Sequence, residues 1–512
     1  MEQSMKQTTE VLLHLAPAEV ASLKEGINFF RNKSTGKDYI LYKDQNHLKA
    51  CKNLCKHQGG LFIKDIEDLD GRSVKCTKHN WKLDVSTMKY TNPPGSFCQD
   101  ELVNVAQVTY LTHACMDLKL GDKRMVFDPW LVGPAFARGW WLLHEPPSDW
   151  LERLCRADLI YISHMHSDHL SYPTLQKLSQ RRPDVPIYVG DTERPVFWNL
   201  KHSGVQLTNI NVVPFGAWQQ VDKNLRFMIL MDGVHPEMDT CIIVEYKGHK
   251  ILNTVDCTRP NGGRLPVNAA LMMSDFAGGA SGFPMTFSGG KFTEEWKAQF
   301  IKTERKKLLN YKAQLVKDLQ PRIYCPFAGY FVESHPSDKY IKETNIKNDP
   351  NHKGIVEPPE GTKIYKDSWD FQPYLDALRA AVGDEIFLHP SWIKEYFTWA
   401  GFKNYNLVVR MIETDEDFNP FPGGYDYLVD FLDLSFPEER PSREHPYEEV
   451  RSRVDVIRHV VRNGLLWDDL YIGFQTRLQR DPDIYHHLFW NHFQIKLPLT
   501  PPNWKSFLMH CG

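Results

Sequence analysis

The sequence predicts a multidomain α/β protein: a small all-β domain first, then a larger domain of alternating strands and helices, then a C-terminal α+β region. Three observations predict it. Two short loops, Cys55-Lys56-His57 and Cys76-Thr77-Lys78-His79, lie among strand-like segments punctuated by turn residues. Near Val108 the pattern changes, and apolar runs of strand length alternate with helical stretches. One of those runs, Asp158 to Ile162, leads straight into Ser163-His164-Met165-His166-Ser167-Asp168-His169. The domain boundaries that follow are 8–103, 104–353 and 354–512.

A chain of 512 residues is long enough for two or three domains, each burying its own core. With 61 basic and 64 acidic residues and no basic stripe, nucleic acid is not an expected partner. No apolar run approaches the roughly 18 residues of a membrane span. The stretch Glu10 to Leu15 lacks a basic lead and a long apolar core, so it reads as a small helix, and the expected location is cytoplasmic. Ten scattered cysteines do not make a disulfide framework; reduced thiols suit an intracellular compartment, and Cys51 reads as a buried thiol.

In the first domain Phe29-Phe30, Tyr39 to Tyr42 and Arg72 to Lys75 read as short strands, and Asn92-Pro93-Pro94-Gly95 marks the exit. The Cys/His loops therefore project from a strand scaffold. A CxH loop and a CxxH loop with 18 residues between them supply two thiolates and two imidazoles, the ligand set of a one-electron [2Fe-2S] carrier. Zinc takes the same four residue types, but zinc-finger spacing pairs Cys with Cys and His with His, whereas each loop here offers one of each. His57-Gln58-Gly59-Gly60 and His79-Asn80-Trp81-Lys82-Leu83-Asp84 resemble the cluster loops of Rieske ferredoxins and ring-hydroxylating oxygenases. The extra loop cysteines of high-potential Rieske proteins are not present. The resemblance implies a Rieske [2Fe-2S] cluster on Cys55, His57, Cys76 and His79.

In the second domain Val108 to Leu111 and Arg124 to Phe127 read as a strand pair, followed by Asp128-Pro129-Trp130. Leu159 to Ile162, Ile187 to Val189, Phe227 to Leu230, Cys241 to Val244 and Lys250 to Leu252 are buried-strand candidates, and Glu294 to Leu319 reads as a helix. Three histidines and a carboxylate within HxHxDH are hard to bury without a cation, since each would compete for polar partners. The motif resembles the metallo-β-lactamase superfamily, which implies an αββα sandwich over about 108–349. Matched singly, Asp128 corresponds to the Asp that supports the metal loop, His235 to the third His ligand, and Asp256 to the carboxylate that can bridge two metals. Relatives place a final His where this chain reads Tyr324-Cys325-Pro326-Phe327-Ala328-Gly329-Tyr330; His335 follows as a substitute candidate. The preferred arrangement is mononuclear, on His164, His166 and His235 with Asp256, with a dinuclear one open. Asp168 and His169 then stand behind the ligands or face the substrate.

Hydrolysis at such a metal needs no electrons, so an electron carrier beside it points to non-haem iron and reductive activation of O2. Gly278 to Gly282 lacks the spacing of a dinucleotide fingerprint, so a separate reductant is expected. The order of the two units, with Lys52 to Gly60, Ser163 to His169 and Trp467-Asp468-Asp469-Leu470-Tyr471, resembles the CMP-N-acetylneuraminate hydroxylases. That resemblance implies hydroxylation of the N-acetyl methyl of CMP-N-acetylneuraminate by O2, with cytochrome b5 and its NADH-dependent reductase as electron source. It also makes the joins near Val103-Asn104 and Pro350-Asn351-His352 look short. The alternative is a zinc hydrolase of phosphodiester or lipid substrates with a regulatory Rieske domain. Arg138, Trp140 and Trp141 read either as substrate contacts or as core. Beyond 354, Val450, Val454, Ile457 and Val461 predict one helical face over Tyr447 to Val461, and His486, His487 and His492 lie in an aromatic segment.

Overall fold

The computed structural model describes residues 15, 19 and 22–333, except 34, 45–46, 94–96, 103–105, 276–285, 289–290 and 330, and beyond them parts of 376–481. His335, the histidines at 486, 487 and 492, the glycine run from 278 to 282 and both short joins lie outside the described residues. The chain divides into two compact units, Met1–Thr109 with Asp117–Met125 and Tyr246–His249, and the remainder.

The first unit carries two antiparallel sheets. One contains β1 (Gly26–Arg31), β2 (Asp38–Asp44) and β3 (His47–Lys52). The other contains β4 (Phe62–Lys64), β5 (Ser73–Cys76), β6 (Lys82–Asp84) and β7 (Lys89–Asn92). Their inward residues Ile40, Tyr42, Phe62, Val74, Leu83 and Tyr90 make one core, which also takes in Cys51, Cys55 and Cys76. Cys51 is fully buried, and burial followed by the charge of Glu101 pushes its thiol up to about 12.

The larger fold is built on two six-stranded sheets. Strands β8 (Gln107–Thr112), β9 (Cys115–Leu120), β10 (Lys123–Phe127), β12 (Leu159–Tyr161), β13 (Ile187–Gly190) and β14 (Ile210–Val213) form the first, in the order β14-β13-β12-β10-β9-β8. The short β11 (Trp140–Leu142) pairs elsewhere, with β21 (Phe331–Glu333). The second sheet runs in sequence order through β15 (Gln219–Gln220), β16 (Leu225–Met231), β17 (Thr240–Tyr246), β18 (His249–Asn253), β19 (Leu271–Asp275) and β20 (Tyr324–Phe327). Tyr161 reaches Thr240 at 2.7 Å and Tyr188 meets Phe227 edge-on, so the sheets face one another. Helices Trp150–Cys155 and Tyr172–Ser179 bury Leu154, Leu175 and Leu178 against β12 and β13. The long helix Glu294–Leu319 buries Leu315 and Leu319 on the outer side of the second sheet, about 1.5–3 kcal/mol for each side chain fully buried. This is the αββα sandwich.

The helix Glu294–Leu319 has the bounds its sequence predicts: the Thr293 hydroxyl accepts from the Trp296 amide, acidic residues fill the first turn, and Gln320 ends it in the left-handed region. Two expectations are corrected. Val108 to Leu111 and Arg124 to Phe127 are not partners, because β9 lies between them, with its Asp117 paired to Arg124 of β10. Tyr447 does not open a helix: β24 (Tyr447–Ser452) is a strand, flanked by β22 (Leu407–Glu413) and β25 (Thr476–Asp481), with β23 (Tyr425–Val429) on the far side of β22. Pairing on both edges, with Val450 and Ser452 buried, outweighs the apolar spacing; Val454, Ile457 and Val461 lie outside the described residues.

Candidate functional site

In the first unit the loops 55–60 and 76–81 are closed on themselves. The Cys55 amide donates to Gly60 and the Gly59 amide back to Cys55, while Cys76 donates to Trp81 and Asn80 donates to Cys76. A Cβ on Gly60 would lie 2.6 Å from Cys76 Sγ, so only glycine lets the first loop pass the second thiol. The rings of His57 and His79 meet at 4.5 Å, and Trp81 stacks on His57 at 4.3 Å. Tyr90 donates toward Cys55 Sγ at 3.7 Å. Cys55 and Cys76 are buried, His57 is exposed, and His79 Nδ1 is buried with no hydrogen-bond partner. An orphaned imidazole nitrogen beside two buried thiols fits a group that takes up those atoms, and a Rieske cluster does.

In the second unit β12 stops at Tyr161 and the next residues are captured at once. Ser163 donates to Asp128 from its amide at 2.7 Å and from its hydroxyl at 2.9 Å, and Thr240 donates to the Ser163 carbonyl at 2.6 Å. The loop then turns tightly, with the His169 and Leu170 amides both donating to the His166 carbonyl. That turn brings His169 back over Asp128, whose Oδ2 lies 3.1 Å from His169 Nδ1. The carboxylate holds the Nδ1 proton and leaves Nε2 facing the site. From the other sheet, Asp256 follows β18 and puts Oδ2 3.2 Å from His169 Nε2; Asp168 Oδ2 is 3.4 Å from the same nitrogen.

The described residues thus hold two overlapping groups with ligand atoms within 4.8 Å of one another: His164, His169 and Asp256; and His113, Asp168 and His169. His166 joins through a 2.9 Å contact of its Nδ1 with His164 Nε2. His235 stands outside both groups: Asp232 accepts from the Val234 and His235 amides and shapes a loop that leaves this imidazole half exposed, 3.8 Å from Glu237. His113 carried no sequence signal beyond being a lone histidine in the turn between β8 and β9. Trp140 is core, stacked on Phe331 at 3.6 Å, while Trp141 donates to the Arg138 carbonyl.

Electrostatics suit a cation. Burial, with His169 and His166 close by, keeps His164 well below the ordinary histidine range, so it is a neutral ligand. Burial alone would raise Asp168 and Asp256, but the charge of His169 overrides it and holds both below the carboxylate range. Burial would likewise lower His169, yet Asp168, Asp256 and Asp128 drive it well above its usual value. Without a metal, His169 carries the positive charge this pocket requires. His166 Nε2, Asp168 Oδ1 and Asp256 Oδ1 are all buried without a hydrogen-bond partner, which is costly unless a metal takes them. The donor set, imidazole and carboxylate without thiolate, fits non-haem iron.

The C-terminal segment reaches this unit's aromatic wall. Ile472 and Phe474 pack with Trp130, Phe136, Trp140 and Phe331, and Arg194 lies 3.4 Å from Asp468 of the helix Asp468–Ile472.

The Rieske [2Fe-2S] domain family matches residues 15–101, and the beta-lactamase superfamily domain matches residues 107–236. The cytidine monophosphate-N-acetylneuraminic acid hydroxylase of Mus musculus is 80% identical over 99% of this chain and 99% of its own. That of Xenopus laevis is 72% identical over 99% of this chain and 97% of its own. The mouse alignment spans 572 positions against 512 residues here, so the relative carries internal segments that this chain lacks. With a Rieske unit, a buried His/Asp centre and full-length identity of this order, the chain belongs to the cytidine monophosphate-N-acetylneuraminic acid hydroxylase family.

Proposed function

We propose that this chain is a monooxygenase that hydroxylates the N-acetyl methyl group of CMP-N-acetylneuraminate to give CMP-N-glycolylneuraminate. The observation that carries the reading is the presence in one chain of two different metal-ready centres, each with orphaned buried ligand atoms. When bound, the cluster supplies single electrons and the non-haem iron activates O2, which is the chemistry an unactivated methyl C–H bond needs. Hydrolysis needs no electrons, so the zinc-hydrolase alternative leaves the first centre only a regulatory role.

Cys55, His57, Cys76 and His79 hold the cluster in this reading. His164, His166, Asp168, His169 and Asp256 hold iron, with His235 as an outlying candidate beside them. Asp128 fixes the His169 tautomer through the 3.1 Å contact, and Ser163 ties the loop to the same carboxylate. Phe136, 5.7 Å from His166, and the stacked Trp140 and Phe331 wall the pocket and exclude water from one side. Binding energy from the CMP group serves to position the methyl, so free N-acetylneuraminate should be a poor substrate. Cytochrome b5 with its NADH-dependent reductase is the proposed electron source. No helix among the described residues is long and apolar enough to cross a membrane, and we place the enzyme in the cytoplasm.

Metal analysis tests the reading. Iron in excess of the cluster, together with acid-labile sulfide, is expected; zinc in the second centre with full turnover would overturn it. Alanine at His164 or His166 should remove the additional iron and spare the reduced cluster's EPR spectrum. Alanine at His235 should leave most of that iron in place, and its loss there would mean that the exposed loop closes on the metal.

A further inference from the structure

We infer that His113 is a ligand of a second iron position, completed by Asp168 and His169, so that the centre is dinuclear. This rests on the reading of the centre as an iron site. The segment Tyr324 to Tyr330, after the long helix, has no histidine to offer. In the fold, that segment is tied to His113 itself: the Ala328 amide donates to the His113 carbonyl at 3.0 Å. A histidine from the β8–β9 turn therefore stands at the end of β20, where the segment offers none of its own.

The contacts support a ligand. His113 is 3% exposed, and its Nε2 lies 3.1 Å from Asp168 Oδ2. His169 Nε2 is 3.4 Å from that oxygen and 3.2 Å from Asp256 Oδ2. Ligand atoms about 2.1 Å from one metal are separated by about 3.0–3.4 Å, so all three spacings are those of neighbours in a coordination shell. Among the described residues, the close ionic partners of Asp168 are the imidazoles of His113 and His169, and its Oδ1 has no hydrogen-bond partner. Behind His113 the rings of Trp130, Trp140 and Phe331 lie edge-on at 5.2, 6.4 and 5.9 Å, and this aromatic wall holds the imidazole against Asp168. Asp256, beside His169, belongs to the neighbouring group.

A histidine that only hydrogen-bonds Asp168 would make the same 3.1 Å contact, so the test must read metal rather than turnover alone. His113 sits at φ 34°, in the left-handed region, where glycine is free of strain, so His113→Gly should fold and leave a cavity that imidazole can enter. His113→Gln, which keeps a donor toward Asp168, is the companion variant. The full-length protein, loaded with ferrous iron and then oxidised, should hold about two irons beyond the cluster, coupled and EPR-silent. Both variants should hold about one, with an uncoupled high-spin ferric signal, an unchanged reduced-cluster spectrum, and recovery of the second iron in His113→Gly when imidazole is added. Two coupled irons in His113→Gln would overturn the assignment, as would a single additional iron in the unaltered protein. If the unaltered protein binds no additional iron, the iron-site reading fails first.

Discussion

At the scale of residues, the contiguous motifs were legible because each packs its chemistry into a few positions. HxHxDH announces a metal at once, and the structure adds what spacing cannot carry: which neighbour fixes each ring. Asp128 accepts from Ser163 twice and faces His169 Nδ1, so replacing it with Asn should weaken metal binding about 10–100-fold while the cluster spectrum is kept. Equilibrium dialysis of iron against both proteins measures this, and equal affinity would remove Asp128 from the account. His113 was not legible, since a single histidine in a turn has no period or partner in sequence; only the pairing of β9 beside β8 brings it to Asp168. Gly60 is the corresponding feature of the cluster. Its Cβ would approach Cys76 Sγ to 2.6 Å, so Gly60→Ala should lose the reduced Rieske signal although every ligand remains.

The same residues give the pH dependence of metal binding a sign. His169 lies above its ordinary value in the metal-free protein, so it holds a proton near neutral pH. His164 is already neutral, and Asp168 and Asp256 are already ionised, so none of these has a proton to release. Loading the centre therefore displaces about one proton, and affinity should rise with pH until His169 loses its proton unaided. Calorimetry in buffers of different ionisation enthalpy counts that proton, and a count near zero would contradict the electrostatics described here.

At the scale of elements, the long helix was legible to its last residue, whereas β24 was misread because only Val450 of the four apolar positions lies in it and the strands that pair on its two edges are distant in sequence. The helix also does more than cover a sheet. Its Lys312, buried at 6% exposure, donates to Asp275 at the end of β19 and, at 3.0 Å, to the carbonyl of Cys257, next to Asp256. Lys312→Met leaves the largely buried Asp275 without its cation and frees the Asp256 loop. A loss of about 3–5 kcal/mol is expected, with much of it recovered by adding Asp275→Leu. Denaturant melts of the two variants decide it, and a single variant as stable as the parent would show that the pair is not buried in solution.

At the scale of the whole molecule, the two units answer different halves of one chemical problem. The Rieske unit offers a carrier with an exposed His57, and the αββα unit offers a His/Asp pocket closed on one side by an aromatic wall that C-terminal residues help to build. The sequence alone left that C-terminal role open, because Ile472 and Phe474 carry no motif; only their packing on Trp140 and Phe331 shows it. The division of labour implies that oxygen enters the product from O2 and that electrons pass through the first unit. The most direct measurement supplies the full-length, iron-loaded protein with a reduced electron donor, CMP-N-acetylneuraminate and isotopically labelled dioxygen in unlabelled water. O2 uptake matched to N-glycolyl product is expected, with the label in the new hydroxyl. Label drawn from water, or cleavage of the substrate without O2 uptake, would contradict it.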